Sequence, residues 1–205
     1  MSNSKQSYMS KLPTAYDNRD FFEANLLDFA LKSDKSTMEM PFFSLSTKPD
    51  LKVFTLTTLD GSQTIKIIPS ALGRATQMDK DILIYLISQL KTAENWKRKD
   101  LSRRVRFVIH HYLLATNKNT CGREYKRFQN ALQRIRGTTI TTNIKTNGME
   151  FKQGFGLIES WKIIEKSDSN PKMAAVEVVL SEWLWNAIQA NDVLKLNSNY
   201  FYICK

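Results

Sequence analysis

The order of apolar periodicities along the chain predicts an α+β fold. Three observations carry this expectation: an alternating segment broken by Asp60-Gly61, three stretches of helical spacing between residues 76 and 136, and a run of β-branched residues after Gly137. The last two helical stretches are joined by a polar turn, and the β-branched run doubles back at Asn147-Gly148. Paired helices followed by such a hairpin have the layout of a winged helix-turn-helix, here with an additional N-terminal β-hairpin.

Residues 1–40 are polar and patchy and read as an N-terminal arm. Within them RDFFEANLLDFALKS places Phe22, Leu26, Phe29 and Ala30 on one side of an amphipathic helix, docked on the body or ordering on a partner. The body is assigned to residues 41–196, with 197–205 as the start of a linker or second domain. LKVFTLTTLDGSQTIKIIPS alternates Val53, Thr55 and Thr57 with Phe54, Leu56 and Thr58, and Asp-Gly is a strong hairpin signal. TQMDKDILIYLISQLKTAENW offers Thr76 as N-cap, acids in the first turn, and Ile82, Leu83, Leu86, Ile87 and Leu90 at helical spacing. So wide a stripe marks a central helix.

A second helix is expected over 102–115 (SRRVRFVIHHYLLA) and a third over 121–136, with Gly137 as its C′ residue. TTITTNIKT, EFKQGFGLIESWKIIEK and MAAVEVVLS read as strands, with turns at NGM and SNPK. SEWLWNAIQAND reads as a final helix before VLKLNSNYFYICK. No internal repeat or low-complexity segment interrupts this order.

With 205 residues, 42% of them hydrophobic, the chain can bury a core. It lacks the run of about 18 apolar residues a membrane span needs, and its N-terminus lacks the apolar centre of a secretory signal. Cys121 and Cys204 lie far apart without a CxxC spacing, so neither a disulfide framework nor a cysteine-based zinc site is expected. A soluble, cytoplasmic protein without membrane partners is the expectation.

The net charge is +10, and its location matters more than its size. Between Lys97 and Lys145 there are thirteen Lys and Arg against Asp100 and Glu124, which accounts for the whole excess. A segment so one-sided is the footprint of a polyanion-binding face, whereas a merely solvated helix face carries mixed signs.

In the third helix Tyr125, Phe128, Leu132 and Ile135 fall on one face and form its core side. Arg123, Lys126, Arg127, Asn130 and Arg134 share another, with only Glu124 nearby as countercharge. Asn can bond N6 and N7 of adenine, and Arg O6 and N7 of guanine. Arg123, Lys126, Arg127 and Asn130 are therefore assigned to base edges, and Arg134, Lys118 and the Thr120 hydroxyl to phosphates. Thr120 equally suits a helix N-cap. Thr141, Thr142, Asn143, Lys145 and Asn147 supply donors along the hairpin, either as a wing or simply as strand formers. Arg103, Arg104 and Arg106 would open the second helix, where cations oppose the macrodipole and phosphates or an acidic partner would offset the cost.

No enzymatic reading gains support. His110 and His111 are adjacent, so on a helix they diverge by about 100° and cannot jointly hold a metal. Rolling-circle nicking needs two histidines flanking one residue on a strand, and a P-loop needs GxxxxGK[ST]; neither occurs. Gly154 and Gly156 lack the strand-to-helix context of a dinucleotide site and mark a bulge or close approach. The carboxylates Asp79, Asp81, Glu159 and Glu165 show no paired spacing. No enzyme and no cofactor are expected.

PFFSLSTKPD, GRATQMDKDILIYLISQL, VRFVIHHYLLATNKNTCGREYKRFQNALQRIRGTTITTNI and WLWNAIQANDVLKLNSNYFYI, in that order, resemble the plasmid replication initiator protein A family over residues 40–205. Residues 122–144 carry the most specific part of the likeness. The resemblance implies a bacterial plasmid initiator with winged-helix domains that binds repeated origin sites and recruits host replication proteins. Such initiators often also bind their own promoter as dimers. Family members usually continue past NYF into a second winged-helix region, so this chain resembles the N-terminal portion. The function expected is sequence-specific double-stranded DNA binding through the helix at 121–136 and a wing at 138–152. The alternatives are a transcriptional autorepressor using the same elements, or an assembly module dimerising through the N-terminal segment or the hairpin at 51–68.

Overall fold

The computed structural model describes residues 20–61, 63–146, 149–164 and 174–203. β1 (Phe22–Glu23), β2 (Lys32–Asp34) and the short α1 (Lys35–Glu39) precede a hairpin of β3 (Phe54–Thr57) and β4 (Gln63–Ile68). Then come α2 (Lys80–Asn95), β5 (Arg104–Val108), α3 (Ile109–Ala115) and α4 (Gly122–Gly137). β6 (Thr139–Thr146), β7 (Met149–Phe155), β8 (Ile158–Ile164) and β9 (Ala175–Leu180) follow, and α5 (Glu182–Gln189), β10 (Val193–Lys195) and α6 (Tyr200–Ile203) end the described chain. The strands form sheets in the orders β1-β5-β9-β8 and β3-β4-β6-β7, plus a β10-β2 pair. The turn expected at SNPK and the pair Asn147-Gly148 lie outside the described residues.

α2 is the centre of the fold: every residue from Lys80 to Ala93 is buried. Its polar side chains are therefore used as internal partners. Gln89 accepts from the Leu26 amide and donates to the Leu26 carbonyl, both at 2.9 Å. The Ser88 hydroxyl accepts from the Lys32 amide at 2.8 Å. These bonds explain why the amphipathic helix expected over 19–33 does not form. From Asp20 onward this segment crosses α2 without helical turns, its peptide groups bonded to Gln89 at Leu26, to Ser88 at Lys32, and to β5 and β10 at its two short strands. Phe22, fully buried, pairs beside Val105, while Leu27 is left 88% exposed.

The helix expected over 102–115 is also corrected. Its first half is β5, and only Ile109–Ala115 is helical. β5 lies between β1 and β9, with Phe107 opposite Val176 and Val105 opposite Val178. Both faces of β5 are covered here, so Arg106 is buried along with Val105 and Phe107. At the start of α2 the expected capping by Thr76 is seen as a capping box: the Thr76 hydroxyl accepts from the Asp79 amide at 3.3 Å, the Asp79 carboxylate accepts from the Thr76 amide at 2.8 Å, and the Thr76 carbonyl accepts from the Lys80 amide at 3.2 Å.

The Asp60-Gly61 hairpin forms, with Gly61 at φ 67°. It is not a separate ornament. β4 also pairs with β6, placing Ile67 opposite Ile140 and Ile65 opposite Thr142, so both hairpins are one sheet. Gly137, expected as a left-handed C′ residue, is instead the last residue of α4. Glycine is needed there for space, because a Cβ would lie 2.5 Å from the Ser70 Cβ. The adjoining Thr138 hydroxyl accepts from the Ala75 amide at 2.9 Å.

Lys80 yields a pH expectation. It is 1% exposed, donates to the Thr37 carbonyl at 2.7 Å and lies 5.4 Å from the Phe43 ring centre. Burial pushes its pKa down to about 8, against the opposing pull of Asp34. An unfolded lysine holds its proton to about pH 10.4. Between those values the unfolded state binds more protons, so the cost of burying the cation, full below pH 8, fades as pH rises. Thermal melts should show a Lys80 contribution that grows from pH 8 to 10 and vanishes in Lys80→Met.

Candidate nucleic-acid interface

α4 docks through Phe128, Ala131, Leu132 and Ile135, all buried. The Phe128 ring meets Tyr112 at 5.2 Å and Phe107 at 6.1 Å between centroids, tying α4 to α3 and β5. Tyr125, expected in the core, is half-buried at its margin. The N-cap is Cys121, without a side-chain cap bond. Thr120 is thus not the N-cap and lies half-buried in the preceding turn.

At about 100° per residue, Arg123, Lys126, Arg127, Asn130 and Arg134 spread over roughly 100° of α4. Lys126 points furthest from the core stripe, while Arg127 and Arg134 sit at the edge that turns toward α2. That edge carries acids. Arg134 donates through Nε and Nη2 to both Asp79 oxygens, at 2.7 and 2.8 Å. The bond to Asp79 raises the already high Arg134 pKa, so the cation persists. Lys118 Nζ lies 2.5 Å from Asp81 Oδ2. Arg127 pairs with Glu124 at 2.6 Å, leaving its side chain 66% exposed.

The expectation of a stripe lacking countercharge is therefore corrected. Arg134 and Lys118, assigned to phosphates from sequence, are ion-paired within the fold. The acids that meet them come from the first turn of α2, 55 and 37 residues away in sequence, where counting charges along one helix cannot find them.

Arg123 and Lys126 are exposed and, among the described residues, have no acidic partner within 4 Å. Asn130 beside them is half-buried. Gln129, Gln133 and Arg136 are also exposed on α4. Sequence reasoning passed over these three; the signal available was their place outside the core stripe, which for the glutamines carries no charge to draw notice.

The hairpin side chains divide as well. β6 alternates, so Thr141 and Asn143 share a face with their partners Lys66 and Thr64 on β4. Thr142 lies on the other face, opposite Ile65 and in line with buried Ile140. All three are half-buried. Lys145 follows Asn143 along its face of β6, but its side chain, like Asn147, is outside the described set.

Arg103, Arg104 and Arg106 do not stand at a helix N-terminus. Arg103 pairs with Glu159 at 2.6 Å, while Arg104 and Arg106 pair with Glu177 at 3.0 and 2.8 Å. Burial raises the Glu177 pKa, but the two guanidinium hydrogen bonds more than offset this and hold it below the usual range. Arg106 also covers the Phe21 ring, 3.8 Å from its centre. These arginines knit β5 to β8, β9 and the N-terminal segment. Among the described residues no group of three His, Cys, Asp or Glu could hold a metal ion, and no helix is long and apolar enough to cross a membrane.

The architecture is that of an α+β domain with cations exposed on one helix beside a β-hairpin. The model of the family Replication initiator protein A matches residues 32–205, and the chain belongs to that family of replication initiators. The "Putative replication protein" of Wigglesworthia glossinidia brevipalpis is 34% identical over 190 residues, covering 91% of this chain and 68% of that one. A crystal structure of domains 2 and 3 of RctB is similar with a TM-score of 0.52 at 15% identity, over 71% of this chain and 58% of that chain. A second crystal structure of the same domains gives 0.50 at 14%, over 74% and 57%. The chain thus spans under two thirds of those RctB chains, and at such identities the likeness is one of fold.

Proposed function

We propose that the chain binds double-stranded DNA at repeated sites of a plasmid replication origin, without catalysis and without a cofactor. In this reading α3, α4 and the β6–β7 hairpin act as a winged helix-turn-helix, α4 entering the major groove and the hairpin reaching the neighbouring backbone. The observation that carries it is the exposure of Arg123 and Lys126, unpaired among the described residues, on the side of α4 away from its core stripe. Phosphates would supply the missing countercharge and most of the affinity. Arg123 and Asn130 have the donor geometry for guanine and adenine edges, and Gln129 and Gln133 can serve similarly. Recruitment of host replication proteins and binding to the chain's own promoter, in a bacterial cytoplasm, complete the role. Footprinting on the parent plasmid's origin should show protected repeats, with log K falling by about 0.9 per phosphate neutralised for each decade of salt. Asn130→Ala should cost about 1–3 kcal/mol at one base pair and relax specificity there. Unprotected repeats or salt-independent binding would sink the proposal. A plasmid-maintenance assay separates an initiator from a repressor acting only at its promoter.

A specific observation favours self-association as a second role. β3 is the outer strand of its sheet and exposes Leu56, with Val53, Leu51 and Leu59 exposed alongside it. An apolar edge strand is a template for pairing with another. Light scattering should find a homodimer that Leu56→Lys converts to monomer; a monomeric parent chain would exclude this interface.

A further inference from the structure

We propose that Asp79 and Asp81 are positioning residues that set the rotation of α4 for DNA reading, an inference that rests on the function proposed above. Both carboxylates are buried, at 4% and 5% exposure, at the start of α2. Asp79 accepts from Nε and Nη2 of Arg134 in the last turn of α4, and Asp81 accepts from Lys118 in the turn before α4. Two carboxylates on one rigid helix thereby hold α4 near both ends. Asp79 is itself fixed by the reciprocal bonds with Thr76 at 2.8 and 3.3 Å, and α2 beneath it is buried throughout from Lys80 to Ala93.

A bidentate Arg–carboxylate pair fixes orientation as well as distance. Orientation is what base reading requires. With side-chain tips about 5–6 Å from the helix axis, a rotation of about 20° displaces them by about 2 Å, more than the tolerance of a hydrogen bond. The apolar stripe of Phe128, Ala131, Leu132 and Ile135 seats α4 on the core, and the fork-to-carboxylate pair adds a directional constraint to that packing. Arg134 and Lys118 consequently act through the fold and are withheld from the phosphates.

The test compares an origin-repeat duplex with a scrambled one across a salt series, using the parent chain, Asp79→Asn, Arg134→Gln and the double variant. Asp79→Asn should lower discrimination between the duplexes about tenfold. It should also steepen the salt dependence by about 0.9 per decade, because Arg134 is freed to meet a phosphate. The double variant should return the salt dependence to the parent's without restoring discrimination. A merely stabilising role would move the melting temperature and leave both binding readouts unchanged, which would overturn the proposal. If Asp79→Asn melts below the assay temperature, Arg134→Gln decides alone. Lost discrimination at unchanged salt dependence supports positioning; a shallower salt dependence at unchanged discrimination makes Arg134 a phosphate ligand and overturns it. Arg123→Ala and Lys126→Ala separate the two levels, since unchanged affinity in both would remove α4 from the DNA and overturn this inference with it.

Discussion

Replacing Arg123, Lys126 and Arg127 together by alanine is expected to lower affinity for origin DNA by at least about a hundredfold at physiological salt. Contacts of this kind contribute about 1–3 kcal/mol each, and 1.4 kcal/mol is a factor of ten. Arg127 adds a second effect, because its loss leaves Glu124 uncompensated beside the phosphates. All three side chains are exposed, so folding stability should change by no more than about 0.5 kcal/mol per site. Fluorescence anisotropy with a labelled duplex, alongside thermal melts, separates the two quantities. Parent-like affinity in a folded triple variant would place the interface elsewhere.

Phe128→Ala should have the largest effect on stability. Phe128 is 4% exposed and stands where α4, α3 and β5 meet, against Tyr112 and Phe107, which both contact Tyr85 of α2. Truncating a buried phenylalanine costs about 3–5 kcal/mol through lost transfer energy and the cavity left behind. A domain has only about 5–15 kcal/mol in total. Urea unfolding should show a lower midpoint at unchanged slope. Tyr125→Ala, at the margin of the same stripe, should cost distinctly less. A loss under about 1 kcal/mol at Phe128 would mean that α4 is not seated through this cluster.

The contrast between α2 and β5 shows what the sequence could and could not disclose. α2 and α4 were legible because helical spacing over sixteen residues leaves little room for another period. The two hairpins were legible from Asp60-Gly61 and from the β-branched run after Gly137. In Arg104-Val105-Arg106-Phe107-Val108 five residues fit a helix face or a strand equally well. The partner that decides, Val176 to Val179 on β9, lies 69 or more residues further along. The Asp20–Asp34 segment misled for a related reason: its apolar spacing is helical, but side chains of α2 claim its backbone. The candidate interface was legible as charge and misread as pairing. Asp79 and Asp81 looked like ordinary first-turn acids, and nothing local to Arg134 or Lys118 announces that those carboxylates are theirs.

In the proposed DNA complex, the shared strand β4 and the tight seat of Gly137 on Ser70 would constrain how α4 and the β6–β7 hairpin meet the duplex. With no room for a Cβ and with Thr138 pinned to Ala75, the passage from α4 into β6 has no slack. Helix and hairpin then behave as the two jaws of a fixed caliper. Neighbouring base pairs are about 3.4 Å apart, a step that such a caliper cannot take up. One base pair inserted between the segments that the jaws grip would have to be absorbed by bending or twisting the duplex, so the tolerance of a site to spacing changes is set by the stiffness of its own DNA.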